Sequence, residues 1–134
     1  LFSQPVLAVS HVDLALIQIL NLFHPGSAPT GKRNQYVVIA SSASVGENTD
    51  LGNFVSIGEN SKIGNNCKIA DGVKIGNNVQ IGDDSTIGPN CVIFDGVRIG
   101  KRFLSFANTT IGGEGFRYVD VNNILHRVPQ IGSV

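Results

Sequence analysis

Residues 57–88 read IGENSKIGNNCKIADGVKIGNNVQIGDDSTIG, and a six-residue pattern repeats through the whole stretch. An aliphatic residue returns at every sixth position, a small or apolar residue stands two positions before it, and glycine often follows it. The register extends outward to residues 39 and 112, interrupted only by Ser105. Its aliphatic members are Ile39, Val45, Leu51, Ile57, Ile63, Ile69, Ile75, Ile81, Ile87, Ile93, Ile99 and Ile111. A hexapeptide period indicates a parallel β-helix.

The period corresponds physically to a short strand followed by a corner. Residues i and i−2 of a strand face the same way, so the aliphatic residue and the one two positions before it both point inward. A turn-forming residue such as Asn60 or Asn66 stands three positions before the aliphatic residue. Asn and Gly tolerate the positive φ that a sharp corner demands, so we expect both at corners. Three units close a triangle, and three hexapeptides therefore make one coil.

Stacking of these coils at ~4.8 Å predicts an all-β solenoid of about four coils, with three internal columns. The columns contain Ile39, Ile57, Ile75, Ile93 and Ile111; then Val45, Ile63, Ile81 and Ile99; then Leu51, Ile69, Ile87 and Ser105. Lys62, Lys68 and Lys74 each precede an inward aliphatic residue. They should therefore point outward on three different faces, which does not make a basic patch. The acidic residues Asp71 and Asp83 fall at corners, where we expect turn residues.

The composition restricts the function classes that the chain can serve. Ten Lys or Arg balance ten Asp or Glu, and a neutral chain has no general attraction to nucleic acid or to an anionic membrane. Cys67 and Cys91 fall in inward positions on different faces. We expect buried free thiols rather than a disulfide, which suits a reducing compartment. The sequence has no Met, and we expect it to be a piece of a longer protein.

Residues 1–35 predict a linker helix followed by a loop. Ser10 should open the helix, with Asp13 as its capping-box-like partner, and Pro25 should end it near His24. Apolar residues recur at helical spacing, which favours an amphipathic helix packed on another element. Polar residues interrupt it, and it is shorter than the ~20 apolar residues that a membrane span needs.

The repeat weakens toward its end. Phe94 and Phe106 stand where glycine is usual, and Phe103 and Leu104 add further apolar bulk. We expect an exposed apolar strip here, and such a strip can form a subunit contact.

The period stops after residue 112, so residues 36–112 form the predicted β-helix and residues 113–134 a separate segment. Within that segment, residues 113–129 read as a non-repeating excursion, and residues 130–134 should begin the next coil. Insertions in solenoids map to loops and often to binding faces.

Three segments carry a family resemblance. Residues 111–118 read IGGEGFRY and residues 128–132 read VPQIG, similar to the pattern I-G-x-D-G-F-G-F followed by I-P-Q-x-G. That pattern is typical of the UDP-3-O-acylglucosamine N-acyltransferase family. Residues 14–25, LALIQILNLFHP, resemble the helix that leads from the family's uridine-binding domain into its coil. Glu114, Arg117 and Tyr118 depart from the family's Asp, Gly and Phe. The hexapeptide array itself resembles the left-handed β-helix acyltransferases, and the left hand is implied by that resemblance.

This resemblance implies an enzyme that transfers a 3-hydroxyacyl chain from acyl carrier protein to the 2-amine of UDP-3-O-acylglucosamine in lipid A biosynthesis. It implies a cytoplasmic homotrimer without a metal or other cofactor, with acyl-acyl carrier protein as co-substrate and a UDP-sugar lipid as acceptor. Neither a nucleic acid partner nor a transmembrane segment is expected. The family's general base is a His in a motif like I-x-H-N-V-x-I-G, which this sequence lacks. We expect that His beyond Val134, and we expect these 134 residues alone to be inactive.

The family's excursion lies near the substrate cleft between subunits. Phe116, Arg117 and Tyr118 are therefore our candidates for substrate or subunit contacts. His126 reads as a surface residue of the excursion, and His11 and His24 flank the helix, so none is assigned as catalyst.

Two other functions remain open. The first is a non-catalytic hexapeptide-repeat protein that serves assembly or structure. The second is a zinc site like that of the γ-class carbonic anhydrases, which needs several His ligands. Residues 36–112 contain no His, so no metal site is expected.

Overall fold

The computed structural model describes residues 6–129, which form one helix, a parallel β-helix and a β-hairpin. The helix α1 spans Val12–Phe23. The hairpin strands are β13 (Tyr118–Val121) and β14 (Ile124–Arg127). The strands of the β-helix are β1 (Val38–Ile39), β2 (Ser44–Val45), β3 (Asp50–Leu51), β4 (Ser56–Ile57), β5 (Lys62–Ile63), β6 (Lys68–Ile69), β7 (Lys74–Ile75), β8 (Gln80–Ile81), β9 (Thr86–Ile87), β10 (Val92–Ile93), β11 (Arg98–Ile99) and β12 (Thr110–Ile111).

The strands of the β-helix stack into three parallel sheets, one for each face of a triangular prism. Face A contains β3, β6 and β9; face B contains β1, β4, β7, β10 and β12; face C contains β2, β5, β8 and β11. Each residue pairs with the one eighteen positions along, as Ile57 does with Ile75 and Ile63 with Ile81. The three predicted columns are therefore confirmed. A bridge between Thr86 and Leu104 extends face A past β9.

The core consists of the two inward positions of each hexapeptide. Ile57, Ile69 and Ile93 are at most 2% exposed, and Cys67 and Cys91 are fully buried and free. Burying such side chains contributes about 1.5 to 3 kcal/mol each. Inward hydroxyls are satisfied by backbone: Ser61 Oγ donates to the Gly76 carbonyl at 2.8 Å, and Thr49, Ser85 and Ser105 also make backbone hydrogen bonds. Within residues 6–129, no buried side-chain oxygen or nitrogen lacks a partner.

From residue 48 to residue 108, the corner residue three positions before each inward residue adopts positive φ, as expected. The non-glycine members are Asn48, Phe54, Asn60, Asn66, Asn78, Asp84, Asn90, Arg102 and Asn108, with φ between 54° and 61°. Phe54 and Arg102 are exceptions in chemistry, because L side chains other than Asn and Asp rarely adopt this conformation.

The glycine that follows the aliphatic residue serves a different purpose from the corner residue with positive φ. Gly46, Gly64 and Gly82 do not have positive φ. Instead, a Cβ at Gly64 would lie 2.6 Å from the backbone nitrogen of Asp83 in the next coil. The close stacking of coils at the corner, rather than the dihedral angle, therefore selects glycine at these positions.

Corner side chains tie successive coils together. Asn65 Oδ1 accepts from the Glu47 backbone N–H at 2.8 Å, and Asp83 Oδ1 accepts from that of Asn65 at 2.9 Å. Asp71 Oδ1 likewise accepts from the Asn53 backbone N–H at 2.7 Å. Asp71 and Asp83 are thus corner residues, as predicted. Asp83 also pairs with Lys101 at 2.7 Å, and the hydrogen bond from Lys101 lowers the pKa of Asp83.

Helix α1 begins one residue later than a Ser10 cap would require. His11 is the N-cap residue, and no side chain caps the helix, so the predicted capping box of Ser10 and Asp13 was wrong. The helix ends at Phe23, as the sequence indicated. It buries none of its own side chains, so within the described chain it packs on no other element. No helix in residues 6–129 is both long and apolar enough to cross a membrane.

The excursion after residue 112 contains a β-hairpin that we did not predict. Asn122 and Asn123 form its two-residue turn with φ of 56° and 60°. Positive φ at both central residues defines the type I′ turn that joins twisted strands. The signal was Val121-Asn-Asn-Ile124, two turn residues between apolar strand ends. The predicted re-entry into a coil at residues 130–134 lies outside the described residues.

Candidate functional site

The candidate residues Phe116, Arg117 and Tyr118 lie at the base of the hairpin, in a segment we call the arm (residues 113–129). Phe116 is 94% exposed, and its ring packs tilted on that of Tyr118 at a centroid distance of 4.9 Å. The Arg117 carbonyl accepts from the Val128 N–H at 2.9 Å, which closes the base. The structure thus brings the three residues together on an exposed projection.

The strand register divides the arm into two faces. Val119 pairs with His126 and Val121 with Ile124, so these four side chains share one face. All four are exposed. The arm makes no element-to-element contact with the β-helix.

The opposite face of the hairpin carries the charged residues Asp120 and Arg127. Tyr118 pairs with Arg127 and Asp120 with Leu125. Arg127 also forms an ion pair with Glu114. An isolated two-stranded hairpin is marginally stable in water, so the ion pair and the Phe116–Tyr118 contact hold its base.

The three histidines flank α1 or lie on the hairpin. His11 precedes α1, His24 follows it, and His126 is on β14. Nowhere in residues 6–129 do three or more His, Cys, Asp or Glu side chains converge as metal ligands would.

The two thiols are structural. Burial raises the pKa of the Cys67 thiol, so it stays protonated at neutral pH. Its Sγ donates to the Gly82 carbonyl at 3.4 Å, and Cys91 Sγ donates to the Phe106 carbonyl at 2.9 Å. Neither serves as a nucleophile.

Sequence reasoning missed an aromatic pair at the corner between faces A and B. Tyr36 and Phe54 stack with centroids 5.2 Å apart and an interplanar angle of 3°, and both are more than half exposed. Lys74 Nζ donates to the Phe54 carbonyl at 2.9 Å. The signal was Phe54 itself, a large aromatic residue in the column of turn-formers.

Of the four residues in the predicted apolar strip, three are exposed at the end of the β-helix. Phe106 is 77% exposed, Leu104 59% and Phe94 44%, whereas Phe103 is half-buried against the core. Phe94 and Phe106 lie at different corners, since one follows a strand of face B and the other the bridge of face A. A subunit contact through these residues stays a prediction.

Comparison with known proteins agrees with this architecture. Residues 54–87 match the bacterial transferase hexapeptide (six repeats), and residues 78–103 match the hexapeptide repeat of succinyl-transferase. Over all 134 residues the chain is 49% identical to UDP-3-O-acylglucosamine N-acyltransferase from Leptospira biflexa serovar Patoc, from both strains compared. The chain is therefore similar to transferases that carry hexapeptide repeats. The left-handed parallel β-helix expected from the resemblance is confirmed by the match to hexapeptide repeats and by the three parallel sheets.

The chain spans 38% of the length of those Leptospira relatives. Among the solved structures matched is a perosamine N-acetyltransferase from Caulobacter crescentus, in complex with CoA and GDP-perosamine. It is 17% identical, covering 73% of this chain and 58% of that one, with a TM-score of 0.48.

Proposed function

We propose that this chain is part of a UDP-3-O-acylglucosamine N-acyltransferase, which moves a 3-hydroxyacyl chain from acyl carrier protein to the 2-amine of UDP-3-O-acylglucosamine in lipid A biosynthesis. The observation that carries the proposal is the 49% identity to enzymes of that name over the whole 134 residues. The identity includes the arm, which lies outside the repeats that many unrelated transferases share. The proposal includes a cytoplasmic homotrimer without a resident cofactor.

The chemistry of the reaction requires one proton acceptor. The amine nitrogen attacks the thioester carbonyl carbon, a C–N bond forms, the C–S bond breaks, and the carrier leaves as a thiol. A general base removes the proton that the amine loses. In our proposal this base is a His outside the 134 residues. Within them, the β-helix supplies a rigid frame, and Phe116, Arg117 and Tyr118 on the arm are proposed to contact substrate or a neighbouring subunit.

The proposal is tested on the protein encoded by the complete gene. We expect transfer of a 3-hydroxyacyl chain from acyl carrier protein to UDP-3-O-acylglucosamine, detected as the diacyl product by mass spectrometry. An acceptor whose 2-amine is replaced by a hydroxyl is the matched control, and it should give no N-acyl product. The isolated 134 residues should also give none.

The rival function, a non-catalytic assembly protein, predicts a different result. Such a protein would give no acyl transfer with any donor, even as the complete chain. Transfer by the complete chain to a different amino sugar would instead keep the reaction type and overturn the substrate.

A further inference from the structure

The segment between α1 and the β-helix is tied to face A by side chains that the coil itself does not need. We call residues 27–32 the strap. Asp50 Oδ1 accepts from the Thr30 N–H at 2.9 Å, from the Thr30 hydroxyl at 3.2 Å and from the Lys32 N–H at 2.8 Å. Asp50 points outward from β3, so these three bonds serve the strap and not the core.

A second contact reaches the strap from the next coil. Lys68 pairs with Asp50 in register and stands directly beside it on face A. Its ammonium donates to the Ser27 carbonyl and to the Ser27 hydroxyl, the latter at 3.3 Å. The strap therefore crosses two coils of face A. Asp50 binds its C-terminal end, and Lys68 binds its N-terminal end at Ser27.

The backbone of the strap is shaped for this path. Gly31 has φ of 79°, and a Cβ there would lie 3.4 Å from the Asn48 Cα. The Lys32 carbonyl then accepts from the Leu51 N–H at 2.8 Å, which joins the strap to the first coil. The positive φ favours glycine at residue 31, and a Cβ there would make an ordinary van der Waals contact with Asn48.

Helix α1 has no other attachment in the described chain, because none of its side chains is buried. We propose that Asp50 and Lys68 form a latch that fixes the strap on face A and so sets the orientation of α1 relative to the β-helix. The latch is a positioning device at the entrance to the coil. It is independent of the acyl-transfer proposal, because it concerns only residues 12–68.

The latch is tested first by limited proteolysis with trypsin, with cleavage after Lys32 and Arg33 quantified by mass spectrometry. In Asp50→Ala the strap loses three hydrogen bonds to a charged group, and we expect cleavage there to accelerate about tenfold or more. Asp50→Asn keeps an oxygen in the same place and should stay closer to the wild type. Thr86→Ala is the matched control, since Thr86 holds the same outward position on face A without a hydrogen bond to the strap.

The orientation of α1 is measured separately, by the distance between spin labels on Asn21→Cys and Gln80→Cys. We expect a narrow distribution in the parent chain and a broad one when Asp50→Ala is added. Circular dichroism and the melting temperature verify that the β-helix stays folded, and Lys68→Ala is the second variant if Asp50→Ala does not fold. Equal tryptic rates for Asp50→Ala and Thr86→Ala, or a broad distribution already in the parent, would overturn the latch.

Discussion

At the scale of single residues, two kinds of glycine occupy the corners for different reasons. Gly72 and Gly96 have φ near 75° and replace Asn, whereas Gly64 has ordinary dihedral angles but no space for a Cβ. Four equivalent positions at the other two corners carry larger residues, namely Ala40, Ala70, Phe94 and Phe106. The column through Gly46, Gly64, Gly82 and Gly100 on face C contains glycine alone.

This column offers a matched pair of substitutions. Gly64→Ala should lower the free energy of unfolding by about 1 to 3 kcal/mol, because the new Cβ would contact Asp83 at 2.6 Å. Gly100→Ala should be neutral or slightly stabilising, since no atom lies within 4 Å of its Cβ. Chemical denaturation of both variants checks this, and equal destabilisation would contradict the stacking argument.

Arg102, like Phe54, has a positive φ that its residue type rarely adopts. Its φ of 57° costs an L side chain about 1 to 2 kcal/mol, and Asn tolerates this conformation better. Arg102→Asn should therefore raise the free energy of unfolding by about 1 kcal/mol. Arg98→Asn, at an extended position on β11, should give no such gain. A melting temperature that falls in Arg102→Asn would show that the arginine side chain contributes more than the strain costs.

At the scale of elements, the strap makes stability depend on pH through Asp50. Burial acts to raise the pKa of Asp50, but the hydrogen bonds from Thr30 and Lys32 outweigh it, so the pKa lies below its ordinary value of 3.8. A carboxylate with a lowered pKa stabilises the fold at pH values above the ordinary pKa, and this contribution is lost as pH falls through the folded value.

The difference in melting temperature between the wild type and Asp50→Asn measures this contribution. We expect the difference to be constant from neutral pH down to about 5, and to shrink as pH falls below 3.8. Asp83 also has a lowered pKa, but it is present in both proteins and cancels. A difference that stays the same at pH 3 would mean that the charge of Asp50 does not matter to the strap.

The elements differ in how well local sequence determines them. The twelve short strands of the β-helix could be predicted because one pattern repeats in register, and every copy supports the others. The start of α1 and the hairpin could not, because each depends on a few residues without repetition. Asn122-Asn123 indicates a turn only when the apolar residues on either side of it pair as strands. Nothing in the non-repeating sequence of the excursion indicated that pairing.

At the scale of the whole molecule, the fold could be derived from the period, but the function could not. A prism with inward aliphatic residues leaves one outward side chain per strand, and those carry little common chemistry: Asp50, Lys68 and Thr86 on face A, for example. The arm and α1 carried the more specific information, because they lie outside the repeat. The latch was beyond sequence reasoning, since it joins residues 20 and 41 positions apart across an unpatterned loop.

The position of the histidines gives the last prediction. His11 and His24 flank α1 and His126 lies on β14, and our proposal places the general base on a His outside these residues. In the complete protein, replacing all three with Ala should leave kcat for acyl transfer within about twofold of the wild type. Loss of a proton acceptor typically costs 10²- to 10⁴-fold. A fall of that size in the triple variant, with single variants to assign it, would place the base within these 134 residues, on the arm if His126 alone accounts for it.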